Sequence, residues 1–348
     1  MPISTRVSRL LAAIAALIAG VVPHAVAQET KGAPIVQREV FAEHPTINVV
    51  NTIMRVKRDG LDGVLIVGSG NASMSCFVPD GGTASCAALK LTSVDAAQLV
   101  GSHDGDATSL LVHGLWGEPA LALLGRNGEV VWRYDAKFTA MGHFAVLARE
   151  GGTEAVIAER NKGLLFFDAI TGKVRSTVQL TGQLTDVFRI SGSDGHRYLM
   201  GLSGAGHVLV FTTAGEFVRA TPNIGVFHAA TSQGDNPVLF IAPRDTLYTL
   251  DEQLKRAGDW YAPQSADLRI AAVDRSGGPN GIVIALFIGS GSARDKTGLY
   301  VFGPDRRLLH TETSLSPNSG LLLLSSSEHS MAFLVGDRGR TWRYTVTW

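Results

Sequence analysis

The strongest constraint on this chain is a two-strand unit that recurs along most of its length. The clearest copy is Leu164–Arg175, in which an apolar stretch is followed by a Thr-Gly turn and a more polar stretch. Weaker copies have Gly82, Gly128 and Gly215 at the same point of the turn as Gly172, so the turn glycines fall at positions 82, 128, 172 and 215. A regular repeat of this length indicates a fold built from copies of one supersecondary unit.

A second pair of apolar strands, joined by an Asp/Gly-containing turn, precedes each of these hairpins; examples are the turns at 58–63 and 192–195. Four short strands in roughly 40 to 45 residues are typical of a propeller blade. The predicted blades are 47–91, 92–136, 137–181, 182–222, 223–263 and 264–314, and a seventh begins near Ser316 with three strands.

Ile35–Phe41 is the predicted fourth strand of this last blade. Its pairing with the C-terminal strand would close the ring and cover an edge that otherwise invites aggregation. The expected fold class is therefore all-β, a single seven-bladed propeller of four-stranded antiparallel blades closed by the N-terminal strand.

The first 27 residues have the features of a cleaved signal peptide. Arg6 and Arg9 precede an apolar run over 10–22, and Ala25-Val26-Ala27 is a small-x-small cleavage signature. We expect a mature propeller domain over 28–348 in the periplasm or outside the cell. No later run approaches the roughly 18 apolar residues of a membrane span, and no Cys follows the cleavage site to carry a lipid.

The two cysteines of the chain flank hairpin-turn chemistry. Cys76 and Cys86 lie on either side of Asp80-Gly81-Gly82, a composition that favours a tight turn between paired strands. In an exported chain this arrangement predicts a local cross-strand disulfide. A metal site made from the same two residues is the less favoured interpretation.

Two stretches resemble the repeats of known propeller families. Phe167–Val174 resembles the repeat of PQQ-like, quinoprotein-type propellers, and Leu124–Trp132 is similar to the same repeat with its tryptophan present. The Asp/Gly-rich turns also resemble FG-GAP/VCBS-type repeats. Both resemblances imply blades, and neither implies an activity, because one fold carries many functions.

No resident cofactor is expected. Quinoprotein dehydrogenases resemble larger propellers with a vicinal cysteine pair, whereas Cys76 and Cys86 are ten positions apart, so functional quinone binding is not predicted. Asp104 and Asp106 could supply oxygen ligands to Ca²⁺, although a calcium loop usually needs a third acid, and turn formation explains the same residues. Equal numbers of acidic and basic residues give zero net charge, which argues against a nucleic-acid partner.

The loops that join the second and third strands of the blades carry the candidate ligand-binding residues. A propeller brings these loops to one face, where converging guanidiniums would favour carboxylate, phosphate or sulfate groups. The alternative is that they are solvated surface charges. The candidates are Arg160, Arg244, Arg294 and Arg338, with His113 and Trp116 from a further blade.

Two functions are compatible with these residues. The favoured hypothesis is a non-enzymatic binding or scaffold propeller that recognises a protein or glycan, because rigid rings of loops suit recognition. The alternative is a lyase or hydrolase acting on an anionic substrate at the channel mouth, with His113, Glu118 or Glu159 as acid or base. The remaining histidines, His143 among them, are interpreted as blade-packing or loop residues, and Trp260 as a packing residue with surface contact as the alternative.

Overall fold

Seven four-stranded antiparallel sheets make up the described part of the chain. The structure is a computed structural model, and it describes residues 34–101, 109–114, 119–136, 143–225, 229–231, 237–243, 245–264, 266–273, 281–289, 291–315, 320–327 and 329–348. The predicted signal peptide lies outside these residues. The strands are β1 (Ile35–Glu43); β2 (Val49–Arg58), β3 (Leu61–Ser69), β4 (Ser73–Pro79), β5 (Ser85–Ala88); β6 (Ala96–Val100), β7 (Ser109–Gly114), β8 (Ala120–Leu124), β9 (Val130–Asp135); β10 (Ala145–Arg149), β11 (Gly152–Glu159), β12 (Gly163–Asp168), β13 (Val174–Val178); β14 (Leu184–Ser191), β15 (Arg197–Ser203), β16 (Val208–Thr212), β17 (Phe217–Ala220); β18 (Ala229–Thr231), β19 (Leu239–Ile241), β20 (Thr246–Leu250), β21 (Arg256–Tyr261); β22 (Ala266–Val273), β23 (Val283–Gly289), β24 (Gly298–Phe302), β25 (Leu308–Glu312); and β26 (Leu321–Ser326), β27 (Ser330–Asp337), β28 (Arg340–Thr347).

The blades follow the predicted order. Strands β2–β5 form blade 1, and each following set of four forms the next blade up to β22–β25 in blade 6. Blade 7 has the order β1-β28-β27-β26, and β1 pairs antiparallel with β28 from Ile35↔Thr347 to Glu43↔Arg340. The predicted seven-bladed propeller and its closure by the N-terminal strand are confirmed, and that strand runs two residues beyond the predicted Phe41.

The core lies between neighbouring blades. Between blades 2 and 3, for example, Leu111 and Leu121 meet Ile157 and Phe167, all at most 2% exposed. The third strand is accordingly strongly apolar in several blades, as in Leu164–Phe167 of blade 3 and Ala120–Leu124 of blade 2. Burying one such side chain contributes about 1.5–3 kcal/mol, so the repeated interblade contacts supply most of the stability.

The repeat motif at Asp168–Gly172 has a clear local cause. The Asp168 carboxylate accepts hydrogen bonds from the backbone N–H groups of Ile170 and Thr171, at 3.1 and 2.8 Å, which shapes the turn. Gly172 has φ +69°, and a Cβ there would lie 2.6 Å from the Trp132 ring of the preceding blade. The Trp132 indole N–H donates to the Ala169 carbonyl at 3.1 Å. The outer-strand tryptophan therefore clamps one blade onto the turn of the next.

The cysteine prediction is also confirmed. Cys76 on β4 and Cys86 on β5 lie directly opposite in the strand register, and they form a disulfide across ten residues of sequence. The bond therefore ties the short outer strand of blade 1 to the buried strand beside it.

We expect the double variant Cys76→Ser/Cys86→Ser to lose about 2.5 kcal/mol of unfolding free energy, because the loop-closure entropy of a ten-residue loop is restored to the unfolded chain. Urea unfolding of the variant and of the reduced wild-type protein would measure this. The two should agree; an unchanged midpoint in both would show that the bond contributes nothing to stability.

Candidate functional site

The connections between the second and third strands of the blades define one face of the ring. Each blade repeats the same antiparallel order, so these connections emerge together with those that lead to the next blade; we call this side the loop face. Arg160 lies in the β11–β12 turn, Arg294 in a 3-10 turn at Gly291–Lys296 between β23 and β24, and Arg338 in the β27–β28 turn. All three are exposed. Arg244 and Trp116 lie outside the described residues.

The three loop-face arginines differ from many others in their pairing. In the described ranges, no carboxylate forms an ion pair with Arg160, Arg294 or Arg338. Near the turns of the opposite face, Arg149 pairs with Glu154 at 2.7 Å, and Arg175 pairs with Asp168. The guanidiniums of the loop face therefore keep their hydrogen-bonding capacity for a ligand.

Lys162, in the same turn as Arg160, is engaged internally. Its Nζ donates to the Tyr134 hydroxyl at 2.9 Å and lies 3.2 Å from the Glu159 carboxylate. The Tyr134 hydroxyl in turn donates to Glu159 at 2.7 Å, and Glu159 is 3% exposed. Glu159, one predicted acid or base, is thus bound within this cluster, while Arg160 provides the outward positive charge of the turn.

His113 lies beneath the loop face rather than on it. It is part of β7, pairs in register with Ala96 and Leu121, and has no exposed surface. Burial lowers the pKa of His113 to about 3, with a smaller contribution from nearby His143. The imidazole is therefore neutral at physiological pH and is suited to packing rather than to direct contact with a ligand. Glu118, the third acid–base candidate, lies outside the described residues.

A second polar group lies on the innermost strands, which line the central channel. The Asp186 carboxylate on β14 is 2.9 Å from the His143 Nδ1, and it also accepts the His143 backbone N–H at 2.9 Å. Asp186 is 1% exposed, whereas 29% of the His143 side chain is exposed. Burial opposes ionisation of Asp186, yet the bonds from His143 hold the pKa of this carboxyl below its usual value.

Arg269 joins this channel group from blade 6. It occupies the bulge position of β22, between Leu268 and Ile270 in the register, and bulges re-aim side chains. Burial lowers the pKa of Arg269, and the carboxylates of Asp267, Asp95 and Asp186 oppose that lowering. The acids of blades 2, 4 and 6 are therefore within electrostatic reach of one guanidinium.

The inner strands are also linked by neutral side chains. The Asn51 amide donates to the Val94 carbonyl of the next blade, and the Gln98 amide donates to the Phe144 carbonyl at 2.7 Å. Each bond joins one inner strand to the start of its neighbour, as the Asp186–His143 contact does between blades 4 and 3.

Sequence reasoning missed the acidic and cationic members of the channel group. Asp95, Asp186, Asp267 and Arg269 all lie at or near the start of an innermost strand, and in the sequence they read as ordinary polar residues within apolar stretches. The signal that could have found them is the recurrence of an acid at this position in every second blade. His143 was interpreted as packing, and its contact with Phe188, with ring centroids 4.8 Å apart, is consistent with that.

No metal centre emerges from the described ranges, in which no group of three or more His, Cys, Asp or Glu residues could hold an ion. Asp104 and Asp106, the calcium candidates, lie outside those ranges.

No helix in the described part of the chain has the length and apolar character to cross a membrane. Trp260 is 2% exposed and packs against Phe240 with ring centroids 6.0 Å apart, as the packing interpretation requires.

Comparisons with known proteins bear on the fold alone. No protein-family model matches the sequence, and a comparison with curated proteins finds no match. Among solved structures, the chain is similar to BBS1N in complex with ARL6DN, at TM-score 0.59 and 10% identity, over 90% of this chain and 95% of that one. It is also similar to a catalytically inactive histidine-to-alanine variant of virginiamycin B lyase from Staphylococcus aureus with quinupristin, at TM-score 0.61 and 11% identity, over 89% and 99% of the two chains. A streptogramin B lyase aligns at TM-score 0.60 and 11% identity, over 90% and 98%. These likenesses agree with the seven-bladed propeller seen here, a fold that serves both a protein complex and lyases.

Proposed function

We propose that this chain is a binding propeller that recognises an acidic surface of a protein partner through its loop face. The observation that carries the proposal is the set of exposed guanidiniums of Arg160, Arg294 and Arg338, each from a different blade and each without an ion pair among the described residues. Guanidinium groups bind carboxylates in bidentate geometry. An anionic glycan or a small anion would be held by the same groups and is the alternative ligand.

Electrostatics sets the character of this binding. Charges on an exposed rim speed association and select partners more than they tighten a complex, and salt screens them over about 8–10 Å. We therefore infer a partner bound with marked salt dependence. The solved complex of the similar BBS1N propeller with another protein supports a protein as the class of partner.

We also propose that the protein acts outside the cytoplasm, in the periplasm or as a secreted protein. The signal-peptide features of residues 1–27 support this location, and so does the Cys76–Cys86 disulfide, because such bonds persist in oxidising compartments. The PQQ-like and FG-GAP/VCBS-like resemblances remain predictions about the origin of the blade sequence.

Replacing Arg160, Arg294 and Arg338 together with alanine should weaken binding of a fluorescently labelled poly-L-glutamate probe by about tenfold at low salt. Three positive charges leave the face, and each contributes a few tenths to about one kcal/mol at an exposed site. Fluorescence anisotropy would measure the affinity at about 20 mM salt, where screening is weak, and at about 150 mM salt, where it is strong. The two values give the dependence of affinity on salt.

The matched control is the triple variant Lys173→Gln/Arg197→Gln/Arg306→Asn, which also removes three positive charges. All three residues are exposed and lie in or near the turns of the opposite face; asparagine is chosen because Arg306 has φ +66°, which asparagine tolerates. This control should bind the probe as the wild type does. Equal losses in both variants would mean that only overall charge matters, which would rule out a loop-face site.

A second candidate function, a hydrolase or lyase at the channel mouth, is supported by one specific observation: the partly exposed His143 imidazole bonded to the buried Asp186 carboxylate. An imidazole base held in place by a buried carboxylate is a recurring arrangement in enzymes. The base in this arrangement is His143, whereas two of the bases predicted from the sequence are not available: His113 is buried and Glu159 is engaged internally.

A further inference from the structure

We propose that His143, positioned by Asp186, acts as a general base for the hydrolysis of neutral or positively charged esters at the loop-face mouth of the channel. The inference rests on the second candidate function and makes it specific. It does not involve the loop-face arginines, so the binding function and this activity can fail independently.

The hydrogen bond to Asp186 fixes the tautomer of His143. An ionised carboxylate can only accept hydrogen bonds, so the Nδ1 that lies 2.9 Å from Asp186 Oδ1 is the donor. The Nε2 then carries the free lone pair. Phe188 packs against the imidazole ring with centroids 4.8 Å apart and restricts its rotation. Because 29% of the His143 side chain is exposed, a water molecule or a substrate can approach it.

A purely structural role does not require this pair of residues. Asn51 and Gln98 connect neighbouring inner strands with neutral amides, which avoids the high cost of placing a charge in the interior. At the blade 3–blade 4 junction the chain instead buries a carboxylate and bonds it to an imidazole. A carboxylate partner fixes the tautomer and the orientation of an imidazole, which is useful in a base and unnecessary in an interblade contact.

The surrounding charges favour particular substrates. The carboxylates of Asp95, Asp186 and Asp267 act on the Arg269 guanidinium, and Arg189 donates to the Val146 carbonyl at the same blade 3–blade 4 junction. Carboxylates therefore outnumber guanidiniums in this group. His113 adds no charge, because burial lowers its pKa to about 3. An anionic ester would be repelled from this centre, whereas a neutral or cationic ester would be accepted.

The reaction needs only water as a second reactant. His143 Nε2 takes a proton from water while the water oxygen bonds to the ester carbonyl carbon, and the π-electron pair moves to the carbonyl oxygen. The tetrahedral adduct then re-forms the carbonyl. The bond to the alcohol oxygen breaks with its electron pair, and the proton on His143 passes to that oxygen, giving one acid and one alcohol.

p-Nitrophenyl acetate, whose hydrolysis is followed by nitrophenolate absorbance, is the first probe. We expect the full chain to hydrolyse it, and His143→Asn to lower the protein-catalysed rate by about 100-fold, the usual contribution of a general base. The control is His207→Asn, because His207 is also partly buried but bonds through Nδ1 to the Thr221 carbonyl instead of a carboxylate. A p-nitrophenyl ester with a trimethylammonium group should react faster than the hemisuccinate ester.

Asp186, as a positioning residue, is tested by separating kcat from KM and by rescue with the conservative variant. Asp186→Asn should lower kcat and leave KM for the ester nearly unchanged, and Asp186→Glu should restore part of kcat. Should these variants fail to fold, diethyl pyrocarbonate on the wild-type protein must abolish hydrolysis at the rate at which mass spectrometry finds His143 modified. Absence of hydrolysis above buffer, or equal rates for wild type and folded His143→Asn, would overturn the proposal. Poly-L-glutamate binding by His143→Asn reports separately on the binding function.

Discussion

Removal of residues 34–43 is expected to lower the unfolding free energy by about 5 kcal/mol and the melting temperature by roughly 10 °C. Strand β1 pairs with β28 at eight register positions, and each net backbone hydrogen bond contributes about 0.5–1.5 kcal/mol. Arg38 adds an ion pair with Glu312 at 2.8 Å and stacks on Trp342. The shortened chain should also aggregate, because β28 becomes an exposed edge. Thermal unfolding and light scattering would measure both effects.

A synthetic peptide of residues 34–43 should restore the melting temperature when it is added to the shortened chain, since an extended segment can complete a sheet edge from outside. A peptide of the same composition in scrambled order is the control. Full stability of the shortened chain without any peptide would show that the ring does not depend on closure by β1.

Acidification is expected to destabilise the protein strongly through His113. Its pKa is lowered to about 3 by burial, against about 6.5 in an unfolded chain. Between these values the unfolded state binds a proton that the folded state excludes, so stability falls as pH decreases from 6.5 towards 3, by about 1.4 kcal/mol per pH unit. Asp186 acts in the same direction: its pKa is held below the unfolded value, so its contribution is lost as pH falls through that lower range.

The variant His113→Leu tests this account. Between pH 6.5 and 4, wild type should lose about 3 kcal/mol more unfolding free energy than the variant, as measured by urea titrations at several pH values. His207→Asn is the control and should follow the wild-type curve. Parallel pH curves for wild type and His113→Leu would show that His113 is not the group responsible.

The propeller was predictable because its causes are local and repeated. The turn at Asp168–Gly172 needs an Asx acceptor and a glycine at positive φ, and the glycine recurs at positive φ at Gly128 and Gly215. Cys76 and Cys86 flank a tight turn, so their register follows from the hairpin. Closure by β1 followed from counting strands, because one blade was a strand short and one strand preceded the first blade.

The channel group was not predictable in the same way. Asp186 and His143 are 43 positions apart, and Asp95, Asp267 and Arg269 come from blades on different sides of the ring. Their proximity depends on how the inner strands converge and on the bulge that holds Arg269. The position of His113, likewise, depends on one residue of register: it is the buried next-to-last residue of β7 and not part of the loop that follows.

Hydrogen exchange of the wild-type protein, with and without poly-L-glutamate, tests the central claim most directly, because it locates the bound surface without any substitution. The proposed function predicts slower exchange in the loop-face segments 159–163, 291–297 and 337–340, and unchanged exchange in the opposite-face turns 125–129 and 169–173. Protection confined to those opposite turns, or none at a probe concentration that saturates the anisotropy signal, would contradict recognition through the loop face.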